Sequence, residues 1–323
     1  MPDYSVFGGC LSSEIPFATL PPGGGTPRWK LRCASGEPPN TNSQQLGEDQ
    51  VDSVTRVRLF RHSGGFRLEY DDTGIFVVDS SGTRIDWYAG QRAVAEAVQL
   101  DVLGRVLPTA MHASGALCLH GSAVELNAGA VAFLAPKRHG KSTLARALAR
   151  AGACVVTDDV VAIDLDPEPR MRPGVPQLRL LRDSARHLGG SDAAPAGAGG
   201  KVVIQPDDSS RTTRSELALA ALYLLQPVRA ELAVESAERV PLAGVAAAMA
   251  LLPQARLAPL LGRSEASVLL DRAVRLAAVV PTYTLRVARD FARLDEVVSR
   301  LLAWHGGAPR VGSPTAAAAG MHE

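Results

Sequence analysis

Two groups of residues in this chain have the types and spacing to do chemistry. The run Ala135-Pro136-Lys137-Arg138-His139-Gly140-Lys141-Ser142-Thr143 reads A-x-x-x-x-G-K-S-T, a phosphate-binding loop with alanine at its first position. Consecutive main-chain N–H groups at a helix N-terminus hold anionic oxygens. In such a loop the lysine, here Lys141, neutralises the β- and γ-phosphates of a nucleotide, and the hydroxyl, here Ser142, ligates Mg2+. The second group is the pair Asp158-Asp159, which begins 17 residues after Lys141. Two carboxylates beside a phosphate loop stand where Mg2+ and a reacting hydroxyl would lie. Residues 135 to 143 are therefore read as nucleotide-binding, with ATP and Mg2+ as the implied cofactors.

These residues act together only if secondary structure positions them. The motif requires a strand before it and a helix after it. Gly129 to Leu134 (GAVAFL) is a short apolar run that suits a buried strand. Ser142 to Ala151 places Leu144, Ala147, Leu148 and Ala151 at helical spacing, with Arg146 and Arg150 facing elsewhere. Gly152 ends the helix. A second strand is predicted from Cys154 to Thr157, ending in the Asp pair. The plain alternatives are a chance Gly-Lys-Ser in a surface turn and a solvated Asp-Asp turn or cap; the flanking pattern speaks against both. Alanine at 135 is compatible with the loop unless φ is positive there, which would cost about 1 kcal/mol. Lys137, Arg138 and His139 either help to hold phosphate or point to solvent, and the residues alone favour neither.

At 323 residues the chain can bury a sizeable core and is long enough for two domains. Its 34 basic and 33 acidic side chains leave a net charge of +1, so no nucleic-acid or membrane partner is implied. There is no apolar stretch of about 20 residues and no signal-peptide pattern. Cys10, Cys33, Cys118 and Cys154 are scattered without metal spacing. The chain reads as cytoplasmic and reduced.

Along the chain, residues 21–27 (PPGGGTP) and 37–50 read as loops. Strand patterns over 29–32, 56–61, 65–70, 74–78 and 83–87 read as an antiparallel β meander. From 90 to 113 the apolar spacing is helical, with Pro108 dividing or kinking it. Further strands are expected at 117–126, 160–165, 201–205, 218–226 and 282–288. Helices are expected at 180–188, 240–252, 263–279 and 294–303, with a loop over 173–179. Ser191 to Gly200 is small and flexible. Three segments follow: a β-rich N-terminal domain with connecting helices over 1–113, a phosphate-loop domain over 114–306, and a disordered tail over 307–323.

With His120-Gly121 before the loop and Asp158-Asp159 after it, the chain resembles the catalytic domain of HPr kinase/phosphorylase. It is most similar in pattern to the HPr-kinase-related proteins of peptide-modification operons, lasso peptide gene clusters included. The resemblance covers about Leu117 to Ile163 and extends more weakly to Trp304. It implies an α/β (α+β) fold: an HPr kinase C-terminal/phosphoenolpyruvate carboxykinase-like P-loop core, here with a β-rich N-terminal domain. It also implies that Asp158 is the catalytic base, that Asp159 stands near the Mg2+ shell with Ser142, and that Lys141 and His120 assist, His120 by orienting Asp158 or tuning its pKa. The Glu-Arg-Gly signature of the bifunctional members is not found, which leaves HPr docking and phosphorolysis unsupported.

The activity implied is transfer of the γ-phosphoryl group of ATP to a hydroxyl, a serine of a ribosomally made peptide or small protein. A kinase for a small metabolite and a nucleotide-binding regulator without turnover stand as alternatives. A motor or transporter ATPase is disfavoured, because its second acidic motif lies much farther along the chain. Lys201, Arg211, Arg214, Arg179 and Arg182 are either transition-state cations or surface charges. Self-association as a homo-oligomer is left open.

Overall fold

Strand after strand of the first ninety residues pairs into one sheet. The computed structural model describes residues 1–39, 43–51, 53–175, 177–189, 201–204, 215–229 and 235–308. Strands β1 (Asp3–Val6), β2 (Gly9–Ser13), β3 (Trp29–Cys33), β4 (Gln44–Gln50), β5 (Arg56–His62), β6 (Gly65–Tyr70), β7 (Gly74–Asp79) and β8 (Arg84–Ala89) lie in the order β1-β2-β3-β8-β7-β6-β5-β4. From β5 to β8 they form the antiparallel meander that the turn signals predict, with β4 added at its edge; β3, expected to belong to that meander, instead pairs parallel with β2 and β8. Their burial alternates with period two: Phe66, Leu68 and Tyr70 on β6 face the core, as do Phe76 and Val78 on β7. The run QQLGEDQ, read from sequence as loop, is instead the edge strand β4. Its polar composition suits an edge and hides its pairing with β5.

Helix α1 (Ala95–Asp101) passes through a π-helical turn at Val102–Val106 into α2 (Leu107–Ala113). Pro108 lies in the first turn of α2, so the irregularity precedes the proline. The chain then runs through β9 (Leu117–Leu126), β10 (Gly129–Leu134), α3 (Lys141–Arg150), β11 (Cys154–Asp164), β12 (Arg170–Met171), β13 (Leu178–Leu181), α4 (Arg182–His187), β14 (Lys201–Ile204), β15 (Leu217–Val228), β16 (Ala237–Leu242), α5 (Gly244–Leu251), α6 (Arg263–Val279), β17 (Thr282–Ala288) and α7 (Leu294–Trp304), whose strands build a second sheet. Its strand order is β10-β9-β11-β12-β15-β17-β16, with β10 also pairing to β15; β13 and β14 form a separate hairpin. β10, β15 and β17 run parallel. The molecule is thus mixed α/β, with a β-rich N-terminal region and a sheet-containing core.

Several predicted bounds are corrected. β11 does not end at the Asp pair but runs through it to Asp164, because β9 continues to pair with it. The loop expected over 173–179 yields to strand β13 from Leu178. The first part of the helix expected over 240–252 is strand β16, where Val240 pairs with Thr284 and the sheet edge overrides helical spacing. Ser191 to Gly200, Arg211, Arg214 and the tail from residue 309 lie outside the described residues.

β9 decides where the site sits. On one of its faces Cys118 joins the N-terminal core, while Val124 and Leu126 join the core under α3. Between them stand His120 and Ser122. The other face, with Leu117, Leu119 and Ala123, packs against α5 and α6. The middle of β9 therefore carries polar side chains into the seam between two hydrophobic cores. Gly121 lets β10 approach there: a Cβ at this position would lie 2.7 Å from both the Leu134 side chain and the Phe133 carbonyl oxygen.

Candidate functional site

The loop joins the end of β10 to α3, whose buried Leu144, Ala145, Ala147 and Leu148 clamp it to the sheet. Burying a leucine side chain contributes roughly 1.5–3 kcal/mol, so two of them anchor the helix firmly beneath the loop. Ala135 is buried at 2% exposure and belongs to the same core. The left-handed positions of the loop are Arg138 (φ 69°) and Gly140 (φ 90°), not Ala135. Alanine in the first position therefore carries no backbone cost. Lys137 and Arg138 are exposed, whereas the His139 ring turns back with Nδ1 3.1 Å from the Lys137 carbonyl oxygen. Thr143 Oγ1 donates to Ser184 Oγ over 3.1 Å, tying the first turn of α3 to α4.

Lys141 is 6% exposed, and its ammonium donates to the carbonyl oxygens of Ala135 at 2.7 Å and Pro136 at 3.0 Å. A buried ammonium needs such acceptors, and the loop curls round its own lysine to supply them. Burial lowers the Lys141 pKa to about 8; Asp158 and Asp159 oppose that shift, and Lys201 and Arg256 add to it. The main-chain N–H groups of Lys141, Ser142 and Thr143 open the helix and have no acceptor within it.

Asp158 faces Ser122 across the β9–β11 ladder. Its Oδ1 accepts from Ser122 Oγ at 2.5 Å and from Ser142 Oγ at 2.9 Å, and its Oδ2 accepts from the main-chain N–H of Arg179 at 2.9 Å. Ser142, expected to share a metal with Asp159, is thus brought to Asp158. With about four acceptor positions on a carboxylate, three hydrogen bonds leave Asp158 fixed against the loop.

Simple alternation would send Asp159 to the opposite face of β11. A φ of 76° at Asp159 breaks that alternation, although the ladder with β9 keeps its register from Thr157 to Ile163. The carboxylate lands with Oδ1 3.1 Å from His120 Nδ1 and Oδ2 3.2 Å from Arg256 Nη2. His120, expected to orient Asp158, contacts Asp159 instead. Burial alone would raise the Asp159 pKa; the Arg256 guanidinium, then His120, outweigh it and hold the carboxyl well below the usual carboxylate range. His120 Nδ1 also lies 3.1 Å from the Asp159 carbonyl oxygen, and its Nε2 is buried without a partner among the described residues.

Two participants, Ser122 and Arg256, escape the sequence reading, whereas Arg179 is among its candidate cations. Ser122 sits two residues after His120, and strand periodicity places it on the same face. Arg256 follows a Leu-Pro turn with no motif around it, and no local signal marks it. The Arg179 main chain serves Asp158, while its guanidinium helps to hold Asp159 ionised. Of the other proposed cations, Lys201 is close enough to Lys141 to depress it. Arg182 is exposed at the start of α4.

The residues present fit a Mg-nucleotide. Gly140 has open space around it, with nothing within 4 Å of a Cβ placed there. Mg2+ binds through one or two carboxylates plus substrate phosphates, and Ser142 with Asp158 would supply such a partial shell. Among the described residues no helix is long and apolar enough to cross a membrane.

No protein-family model matches the chain, and no curated protein matches it. Among solved structures the chain is similar to the HPr(Ser) kinase/phosphatase from Coxiella burnetii, at 13% sequence identity and a TM-score of 0.31, over 58% of this chain and 96% of that one. At that TM-score the likeness decides nothing about chemistry, which rests on the contacts above.

Proposed function

We propose that this chain is an ATP-dependent kinase that transfers the γ-phosphoryl group to a hydroxyl, a serine of a ribosomally made peptide or small protein. The observation that carries the reading is the cluster Lys141, Ser142 and Asp158 at the N-terminus of α3, with a second, differently held carboxylate beside it. A simple nucleotide binder has no use for that second carboxylate.

The cluster supports a division of labour between the two aspartates that reverses the sequence expectation. Ser142 and Asp158 are the residues that would hold Mg2+, which when bound neutralises charge on the transferring group. Lys141 leaves the loop carbonyls for the phosphates, and the N–H groups opening α3 add partial positive charge. Asp159 faces the acceptor. A carboxylate held ionised is a weak base, but in a loose transition state the proton leaves late, and orienting the hydroxyl is the main task. His120 fixes that carboxylate from one side. The peptide acceptor, and the setting of a peptide-modification gene cluster, rest on the motif resemblance alone.

The test is transfer of label from Mg-[γ-32P]ATP to serine-containing acceptor peptides by the full chain. Wild type should label an acceptor and Lys141→Ala should not. A wild-type chain that neither binds nor turns over ATP would end the kinase reading. Label appearing on a small metabolite and on no peptide would move the acceptor to the metabolite class.

A further inference from the structure

The N-terminal region brings one main-chain group to this site, and the sequence shows why it is available. Between α1 and α2 the helix passes through the π turn Val102–Val106. In an α-helix the carbonyl of Gly104 would accept from the N–H of residue 108, but Pro108 has none. The carbonyl accepts instead from Arg256 Nε, over 2.7 Å. The same guanidinium reaches Asp159 Oδ2 through Nη2 at 3.2 Å. Arg256 is itself anchored by its main-chain N–H, which donates to the Cys118 carbonyl oxygen at 2.8 Å, two residues before His120. Glycine at 104 makes the approach possible: a Cβ there would lie 3.1 Å from Arg256 Nη2 and 4.0 Å from Asp159 Oδ2.

We infer that Arg256, steered by the Gly104 carbonyl, is a positioning residue that holds Asp159 in its left-handed conformation, so that the π turn of the N-terminal region completes the site. An aspartate at positive φ persists only where its surroundings over-determine it. Here His120 grips one carboxylate oxygen and Arg256 the other. Arginine suits the task because its planar fork donates in two fixed directions at once, which a lysine ammonium on a flexible stem does not reproduce. The kinetic consequence rests on the kinase reading, whereas the positioning does not.

The experiment compares the full chain with Arg256→Ala, Arg256→Lys and Gly104→Val. Hydrogen exchange read by mass spectrometry should quicken roughly tenfold or more in peptides spanning 102–106 and 157–161, the change expected when a charge-assisted hydrogen bond is lost, with α3 and the N-terminal sheet unchanged. Release of phosphate from Mg-ATP, with water as acceptor, should show kcat falling and KM for ATP holding. Added guanidinium should restore part of kcat to Arg256→Ala and none to Gly104→Val, while Arg256→Lys should remain impaired. Unchanged exchange at 157–161 in both Arg256→Ala and Gly104→Val overturns the proposal. Should Arg256→Ala unfold throughout, Gly104→Val alone decides it. A wild type without ATP turnover defeats the kinase reading and leaves the exchange result to judge this one.

Discussion

The Ser142 hydroxyl donates to the Asp158 carboxylate over 2.9 Å, and the Ser122 hydroxyl reaches the same oxygen from the neighbouring strand. One carboxylate therefore ties the first turn of α3 to the middle of β9, and the loop to the sheet. If Asp158 serves the metal, Asp158→Asn should weaken ATP binding in Mg2+ at least about tenfold while barely changing binding in EDTA. Asp159→Asn should leave both affinities in place and stop transfer. Calorimetric titration of each variant with and without Mg2+ checks this; equal losses in EDTA would reject the metal-side role of Asp158.

Lys141 makes two charge-assisted hydrogen bonds to the loop, and phosphates would take them over. Each such bond contributes about 1.5–3 kcal/mol, so Lys141→Ala should lose at least about tenfold in ATP affinity with the fold retained. Its pKa of about 8 adds a pH dependence. The ammonium is charged well below that value and neutral well above it, so ATP affinity should be level in the acid range and fall as pH rises through about 8. A dissociation constant flat from pH 7.5 to 9.5 would contradict the prediction.

His112 links α2 to α6. Its Nε2 lies 3.4 Å from Glu265 Oε2, Arg272 donates to its Nδ1 at 2.8 Å, and Arg61 reaches Glu265 at 2.7 Å. Burial, opposed by Glu265 and helped by Arg272 and Arg61, lowers the His112 pKa from its ordinary value of 6.5. The unfolded chain then binds the proton more readily than the folded one. Stability should fall as pH drops through about 6.5 and level off below the folded-state value. Glu265, lowered in turn by its bond to His112, adds a loss at more acid pH as it protonates. Urea midpoints from pH 7 to 5 should decline in wild type and less steeply in His112→Gln; identical slopes would remove His112 from the account.

Gly121→Ala tests the close approach of β9 and β10. The added methyl would sit 2.7 Å from the Phe133 carbonyl oxygen and from a Leu134 methyl. Overpacking of this kind costs about 1–3 kcal/mol. The melting temperature should fall by several degrees, and the ladder at Ser122 and Asp158 should loosen with it. An unchanged melting curve would show that the strands have room to spare.

Much of this site is legible in the amino-acid sequence. Local patterns with short-range causes carried over: the apolar run into the loop, the helical spacing of Leu144 and Leu148, the strand around His120, and the 263–279 helix. Where composition works against pairing, local pattern misleads. The polar QQLGEDQ edge strand looked like loop, and the Val240 strand looked like the start of a helix. Neither shows an internal period, because a neighbouring strand supplies what holds it.

By itself the amino-acid sequence determined that a phosphate loop, two adjacent carboxylates and a strand histidine would meet, since each lies within one short element of the next. Only the tertiary structure decided how they divide. Strand alternation says that neighbouring aspartates point apart, yet the left-handed backbone at Asp159 turns its carboxylate back to His120. The guanidinium that meets it comes from Arg256, 97 residues further on, and is steered by the Gly104 carbonyl, to which Pro108 offers no N–H. Contacts of that range depend on how separate elements pack, and no local pattern in the chain records them.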